Sequence, residues 1–438
     1  MRCVASKLPG VAVSLLVLTT CALAQAETLK LDELEQRAIK NRASVLAARA
    51  RVDAAEARVD LAKAPYYPTM AARAELDASP GGRIIKVRNV EEGADPTPYA
   101  VSGSRTITER GAFIPHLRYQ GTVSVQSRLY DFGKTAATVR AARADRDASN
   151  AGVSAERHAV VMEVRSAYLA WLSAYETRQI LAENAADSTS LRVSAEAHVA
   201  EGARPGAELA SARYDEARAA LDLERGDSDL ASARVDLEQV TGGPLPRSAE
   251  PDVSLLERAA PSAGAASHPE VSALERRRDA AAASAESHAY PYAPVLAVGA
   301  NAGVSGQTTT VFPLYEVALS VTVPVFDGGV ESASAAVASA QARDLAAQAR
   351  ELRGRVTADH ERSRSQLERS GRRLELAGAL VAAAEEAVRH AEDQRTLGSG
   401  SLDEVVAAKM RVARAKLEVL NARVERAKAS LELTAAER

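Results

Sequence analysis

The stretch "LYDFGKT", Leu129–Thr135, is answered far along the chain by "VFDGGVE", Val325–Glu331. In each, an alternating apolar run gives way to an aromatic residue, an aspartate and a glycine, and a long helical pattern follows. A chain that makes the same turn twice is built from an internal repeat, which fixes the fold class before any single residue does. Upstream, "APYYP", Ala64–Pro68, is matched by "YPYAP", Tyr290–Pro294, with Val45, Arg51 and Ala55 matching Val271, Arg277 and Ala281. Downstream, Gly202 to Arg218 aligns with Gly398 to Arg414. The first copy carries about 30 extra residues between Pro68 and Leu129, where "SPGGR" and "EEGADPTP" read as an enlarged loop of the kind that tolerates insertion.

Before each repeated turn the periodicity is that of a strand. Tyr119, Gly121, Val123, Val125 and Leu129 fall on one face, and Arg118, Gln120, Thr122, Ser124, Gln126 and Arg128 on the other. The second copy sets Tyr315, Val317, Leu319, Val321 and Val323 against Glu316, Ser320 and Thr322. With first strands at Thr69–Asp77 and from Val295 to Ser305, this predicts two hairpins, over 69–129 (enlarged loop 78–116) and 295–323. Each strand is near the roughly 9 to 11 residues that cross a bilayer at a tilt. No aromatic helix face nearby in sequence covers the greasy side. Four strands cannot close a barrel with a usable interior, since about eight give one just filled by side chains. Closure therefore needs other chains, and three copies would supply twelve strands.

After each turn a helix is expected, with Asp131 and Asp327 as N-caps and Gly133 and Gly329 easing the bend. The long helices span 134–200 and 330–396, about 100 Å each at 1.5 Å per residue. Return helices follow at 207–240 and 402–435, and a further helix precedes each proline motif. Frequent Ala with Leu and Val at heptad spacings predicts close antiparallel coiled-coil packing. The expected organisation is a leader over 1–26, a first structural repeat over 27–241, a linker over 242–266 and a second repeat over 267–438. The fold class is mainly α with a small β part.

Composition agrees. Aromatic residues are only 4% of the 438, and the net charge of -3 comes from interspersed acids and bases, with no basic face for nucleic acid. Arg2 and Lys7 precede the apolar run Leu8–Leu18, and Ala24-Gln25-Ala26 suits a signal peptidase, so the mature chain is expected to start at Glu27. Cys3 and Cys21 are the only cysteines, and Thr20 stands before Cys21 where lipidation wants a smaller residue. The mature chain is then expected to hold no disulfide and no thiolate metal site.

The whole mature chain resembles the TolC-type outer-membrane efflux proteins. The residues that carry the resemblance are the two turns, the "YYP" and "YPYAP" helix ends, "AYLAWLSAYE" (Ala167–Glu176) and "LGSGSLDEV" (Leu397–Val405), in that order and spacing. The resemblance implies a homotrimer in the outer membrane of a Gram-negative bacterium, with a twelve-stranded barrel in outer-membrane lipid and a helical tunnel in the periplasm. It also implies two partners, a periplasmic adaptor (membrane fusion protein) and an inner-membrane pump of RND or ABC type. The narrow point would be the periplasmic tip. There Asp403 and Glu404, with Glu208 in the first repeat, are candidates for an acidic ring that selects cations. Glu404 takes the position of the family's first gating acid, and Ala407 stands where the second is expected. A second reading remains open, in which Asp403 and Glu404 simply favour a helix N-terminus.

Gly202, Gly206, Gly398 and Gly400 are expected to allow the reversal between helices. Gly202, Leu397, Gly398 and Ser399 are candidates for adaptor contact. Tyr168, Trp171 and Tyr175 are expected to pack between helices, and His198 and His390 to be solvated. The chain shows no zinc motif, nucleophile elbow, P-loop or dinucleotide fingerprint, so neither an enzyme, a cofactor nor a metal is expected. The alternative is a soluble periplasmic coiled-coil scaffold or adaptor, which would have no reason to repeat a greasy alternating face.

Overall fold

The computed structural model describes residues 27–80, 115–202, 205–257, 268–307 and 310–436. The expected leader, with Cys3 and Cys21, and all but the ends of the loop at 78–116 lie outside the described residues. In chain order the elements are β1 (Glu27–Leu29), α1 (Leu31–Asn41), α2 (Ala43–Lys63), β2 (Thr69–Pro80), β3 (Pro115–Tyr130), α3 (Lys134–Ala200), α4 (Gly206–Thr241) and β4 (Ala249–Pro251). There follow α5 (Pro269–Ser287), β5 (Val295–Gln307), β6 (Thr310–Thr322), α6 (Val330–Thr396) and α7 (Leu402–Ala436). The described residues form two compact units, one drawn from those within 47–156 and 268–356 and one from those within 27–46, 157–257 and 357–436.

The first unit is built on one antiparallel sheet in the order β2-β3-β5-β6. The two hairpins lie side by side, joined by β3 and β5 from Arg118 opposite Gln307 to Tyr130 opposite Leu296. That leaves β2 and β6 as open edges, each with a row of unpaired backbone groups. The greasy face is bare as well. Tyr315, Val317, Leu319 and Val321 on β6 are between 64% and 79% exposed, an arrangement that water would oppose. β5, by contrast, is rich in Gly and Ala, and a Cβ on Gly303 would stand 2.1 Å from the Gly121 carbonyl oxygen of β3.

The second unit holds the main apolar core. Leu34, Val45, Val160, Val164, Tyr168, Trp171, Leu172 and Leu237 are buried together. The "AYLAWLSAYE" stretch of α3 supplies its largest members, with the Tyr168 and Trp171 rings edge to face at 5.8 Å. The linker is more than a connector. Its β4 pairs in parallel with β1, and the Tyr168 hydroxyl donates to the Leu29 carbonyl at 2.8 Å while accepting from the Asp252 N–H at 2.7 Å. A buried phenol thus ties the start of α1 to the linker. Arg165 binds Glu35 at 2.7 Å where both side chains are nearly buried, so neither charge is left unpaired.

Candidate functional site

Both repeated turns have the same hydrogen-bond pattern. In the first, Asp131 accepts from the Gly133 N–H at 3.2 Å and the Thr135 N–H at 2.8 Å, and in the second Asp327 accepts from Gly329 at 2.9 Å and Glu331 at 3.0 Å. The N-cap expectation is corrected by two residues. The first helical bonds run from Ala137 to the Gly133 carbonyl and from Ala333 to the Gly329 carbonyl, so the glycines are the caps. Their φ values of 93° and 83° are ones that only glycine adopts freely, and the aspartates reach past them to the second N–H of each helix. Burial pushes the Asp131 carboxyl up, but bonds from Thr135, Gly133 and Arg128 outweigh it and hold the group below its ordinary value. Asp327 is held low by the N–H groups of Glu331 and Gly329.

These two turns are also tied to each other. Lys134 binds Glu331 at 2.9 Å, and His288 at the end of α5 meets the other Glu331 oxygen at 2.6 Å. None of this was legible in the sequence, because the three residues come from separate elements.

At the tip, α6 ends through bonds from Gly398 to the Arg395 carbonyl and from Ser399 and Gly400 to that of Gln394, each 3.0 Å. Gly398 has φ 80°, and Gly400 leaves no room for a Cβ, which would meet the Arg395 nitrogen at 2.9 Å. In the first-repeat tip Gly202 has φ 72°. Gly206, however, needs no special conformation: its φ is ordinary and its surroundings are open, so its expected part in the reversal is withdrawn.

α7 then opens on a capping box. Ser401 accepts from the Glu404 N–H, and the Glu404 carboxylate accepts from the Ser401 N–H, both at 3.2 Å. This is the helix-start reading of Glu404, and its S-x-x-E signature was readable in "SLDE". Asp403 is exposed. On α4, burial and then the Asp403 carboxylate push Asp215 above the usual carboxylate range, with Arg218 pulling the other way. Asp215 therefore joins the acids of the tip, although no local pattern marked it. Glu208 lies half-buried in the first turn of α4. Under the tip, Leu402 and Val406 of α7 pack with Ala195 and Ala212. Leu397 is 82% exposed at the turn itself.

Among the described residues, no helix is long and apolar enough to cross a membrane, and no group of three or more His, Cys, Asp or Glu gathers as for a metal ion.

A repeated strand-to-helix turn, a sheet with two open edges and a bare greasy face, and paired helical hairpins together define the class of outer-membrane efflux channels. The chain belongs to the outer membrane efflux protein family, whose sequence model matches residues 34–243 and 260–436. It is accordingly an outer-membrane protein with a periplasmic extension. No curated protein matches it. The fold is similar to that of CusC, with a TM-score of 0.76 at 16% identity over 95% of both chains. It is similar also to the outer membrane protein VceC of Vibrio cholerae, with a TM-score of 0.71 at 18% identity over 93% of this chain and 95% of that one. The open-state MtrE outer membrane channel of Neisseria gonorrhoeae gives 0.70 at 18% identity, over 93% and 88%. At these identities the likeness is one of fold.

Proposed function

We propose that three copies of this chain close their four-stranded sheets into a twelve-stranded barrel and form a trimeric channel-tunnel, the outer-membrane part of a tripartite efflux or type I secretion system. The observation that carries this reading is the bare apolar face of β6 beside two unpaired sheet edges. In lipid such a face is at home, and closure removes the edges. A soluble scaffold would expose both to water. The chain acts as a passive conduit and not as an enzyme; energy comes from an inner-membrane pump of RND or ABC type, reached through a periplasmic adaptor. The exposed Leu397, with Gly202, Gly398 and Ser399, would meet the adaptor at the tip, and Asp403 would set cation preference at the narrow point. With Glu404 held in its capping box, Asp403 is the stronger gate candidate. The two structural repeats, 27–241 and 267–438, then each supply one hairpin and one pair of tunnel helices.

The test is the native mass of protein extracted in detergent from washed outer membranes. A trimer supports the reading, and a monomer in the soluble periplasmic fraction rejects it in favour of the scaffold.

A further inference from the structure

Ion pairs within the helical unit link its helices. Arg192 and Arg178 of α3 bind Glu216 and Asp227 of α4 at 2.8 and 2.9 Å. Asp187 and Glu183 of α3 bind Lys409 and Lys416 of α7 at 3.5 and 2.7 Å, and Glu425 of α7 binds Arg373 of α6 at 2.6 Å. α4 also meets α7, and Arg395 of α6 reaches Ser194 of α3, so α4 and α6 each pack on the α3–α7 pair, and the exposed residues of each give it an outward side.

Those outward sides are patterned. On α4, Tyr214, Ala217, Leu221, Glu224, Ser228 and Ala231 alternate at spacings of three and four, and all are exposed. On α6, Leu376, Leu380, Ala383, Ala387, His390 and Gln394 keep the same alternation, with only Ala387 as much as half-buried. Leu376 is 72% and Tyr214 64% exposed. A solvated face has no reason to hold Leu and Tyr at heptad positions, whereas a coiled-coil seam requires it.

The heights of the two seams are fixed by α3. Arg192 holds Glu216 of α4, and Ser194, two residues further along, accepts from Arg395 of α6 at 3.2 Å. Tyr214 is thereby level with Gln394. The two helices run in opposite directions, since α4 leaves the tip that α6 approaches. Rotation about an axis along the helices keeps heights, so residues level within one copy stay level between neighbouring copies.

Resting on the trimer reading above, we infer that α6 of one copy packs antiparallel on α4 of the next through these two seams. The register sets Leu221 against Ala387, Leu380 against Ser228 and Leu376 against Ala231. Each large side chain then meets a small one, as close packing of two helices requires. Ala383 faces Glu224 and leaves it room to reach water. A half-heptad slip one way puts Glu224 on Leu380, and the other way puts Leu221 on His390, so both slips lose the fit.

Disulfide trapping in the full chain tests this. In a background with Cys3→Ser and Cys21→Ser, the pair Leu221→Cys with Ala387→Cys is oxidised in washed outer membranes, and the same preparations are sized in detergent. The expected result is a disulfide-linked ladder ending at the trimer, repeated by Ala231→Cys with Leu376→Cys and absent from each single variant. Leu221→Cys with Leu380→Cys should not link, because one heptad moves the sulfurs about 10 Å apart. Trimers in which neither matched pair links overturn the seam and leave the trimer standing. Linkage through the mismatched pair overturns the register, and a monomeric mass overturns the trimer and the seam together.

Discussion

Lys134 Nζ lies 2.9 Å from Glu331 Oε1, so the first turns of the two long helices are joined by a single ion pair. The same carboxylate meets His288, and the hydrogen bond from His288, then that from Lys134, hold it below its ordinary value. A carboxyl lowered on folding stabilises the protein above its unfolded pKa, and that contribution is lost as pH falls through the folded value. Glu331→Gln is therefore expected to lower the melting temperature at pH 7 by a small step, under about 1 kcal/mol for a pair still partly open to solvent. The wild-type and variant melts in detergent should converge as pH drops below about 4. A gap that stays constant down to pH 3 would mean the ion pair is not its cause.

The capping box at the tip separates two roles of one residue. Ser401→Ala should cost about 1 kcal/mol. Glu404→Ala should cost less, and Glu404→Gln almost nothing, because glutamine also completes the box. Hydrogen exchange at the first amides of α7 reads this directly. Equal protection in wild type and Ser401→Ala would remove the cap from the account.

Charge selection should follow Asp403. In planar bilayers Asp403→Asn is expected to lower cation selectivity clearly, and Glu404→Gln to lower it little, because the Glu404 carboxylate is turned back on the Ser401 N–H. Loss of selectivity in Glu404→Gln alone would return the gate to Glu404.

Asp215 gives the opposite pH sign to Glu331. Burial and the Asp403 carboxylate raise it, so its ionisation opposes folding above the unfolded pKa and that strain is relieved in acid. Asp215→Asn should raise the melting temperature at pH 7, and the gain should vanish below about pH 4. A variant that melts lower at neutral pH would show that Asp215 has a favourable partner instead.

Much of this architecture could be read from residues that repeat. The two Asp-Gly turns, the alternating runs and the proline-free helices all leave local periodic traces. β1 and β4 do not, since two three-residue strands far apart carry no periodicity and are held by Tyr168 in the core. At the tip, "SLDE" carries the S-x-x-E signature of a capping box within a single turn of sequence. The closeness of Asp215 to Asp403, and of Lys134 and His288 to Glu331, depends on how helices face each other, which no local window records.

Close approach of backbones inside the sheet supplies the sharpest contrast between two like residues. Gly299 and Gly303 lie on the same face of β5, four residues apart. A Cβ on Gly299 would stand 4.0 Å from the Val125 oxygen, an ordinary contact, whereas one on Gly303 would meet the Gly121 oxygen at 2.1 Å and the Thr122 Cα at 2.8 Å. These are backbone atoms of β3, so no rotamer change relieves the clash and the joint between the two hairpins must open. Gly299→Ala is expected to be neutral or to stabilise by up to about 1 kcal/mol, because alanine has less freedom to lose. Gly303→Ala should cost on the order of 3 kcal/mol or more. The urea midpoint of the detergent-solubilised protein, with the fraction recovered in outer membranes, would distinguish them. Equal midpoints would mean that β3 and β5 do not approach so closely, and that the two hairpins are joined more loosely than the β3–β5 register requires.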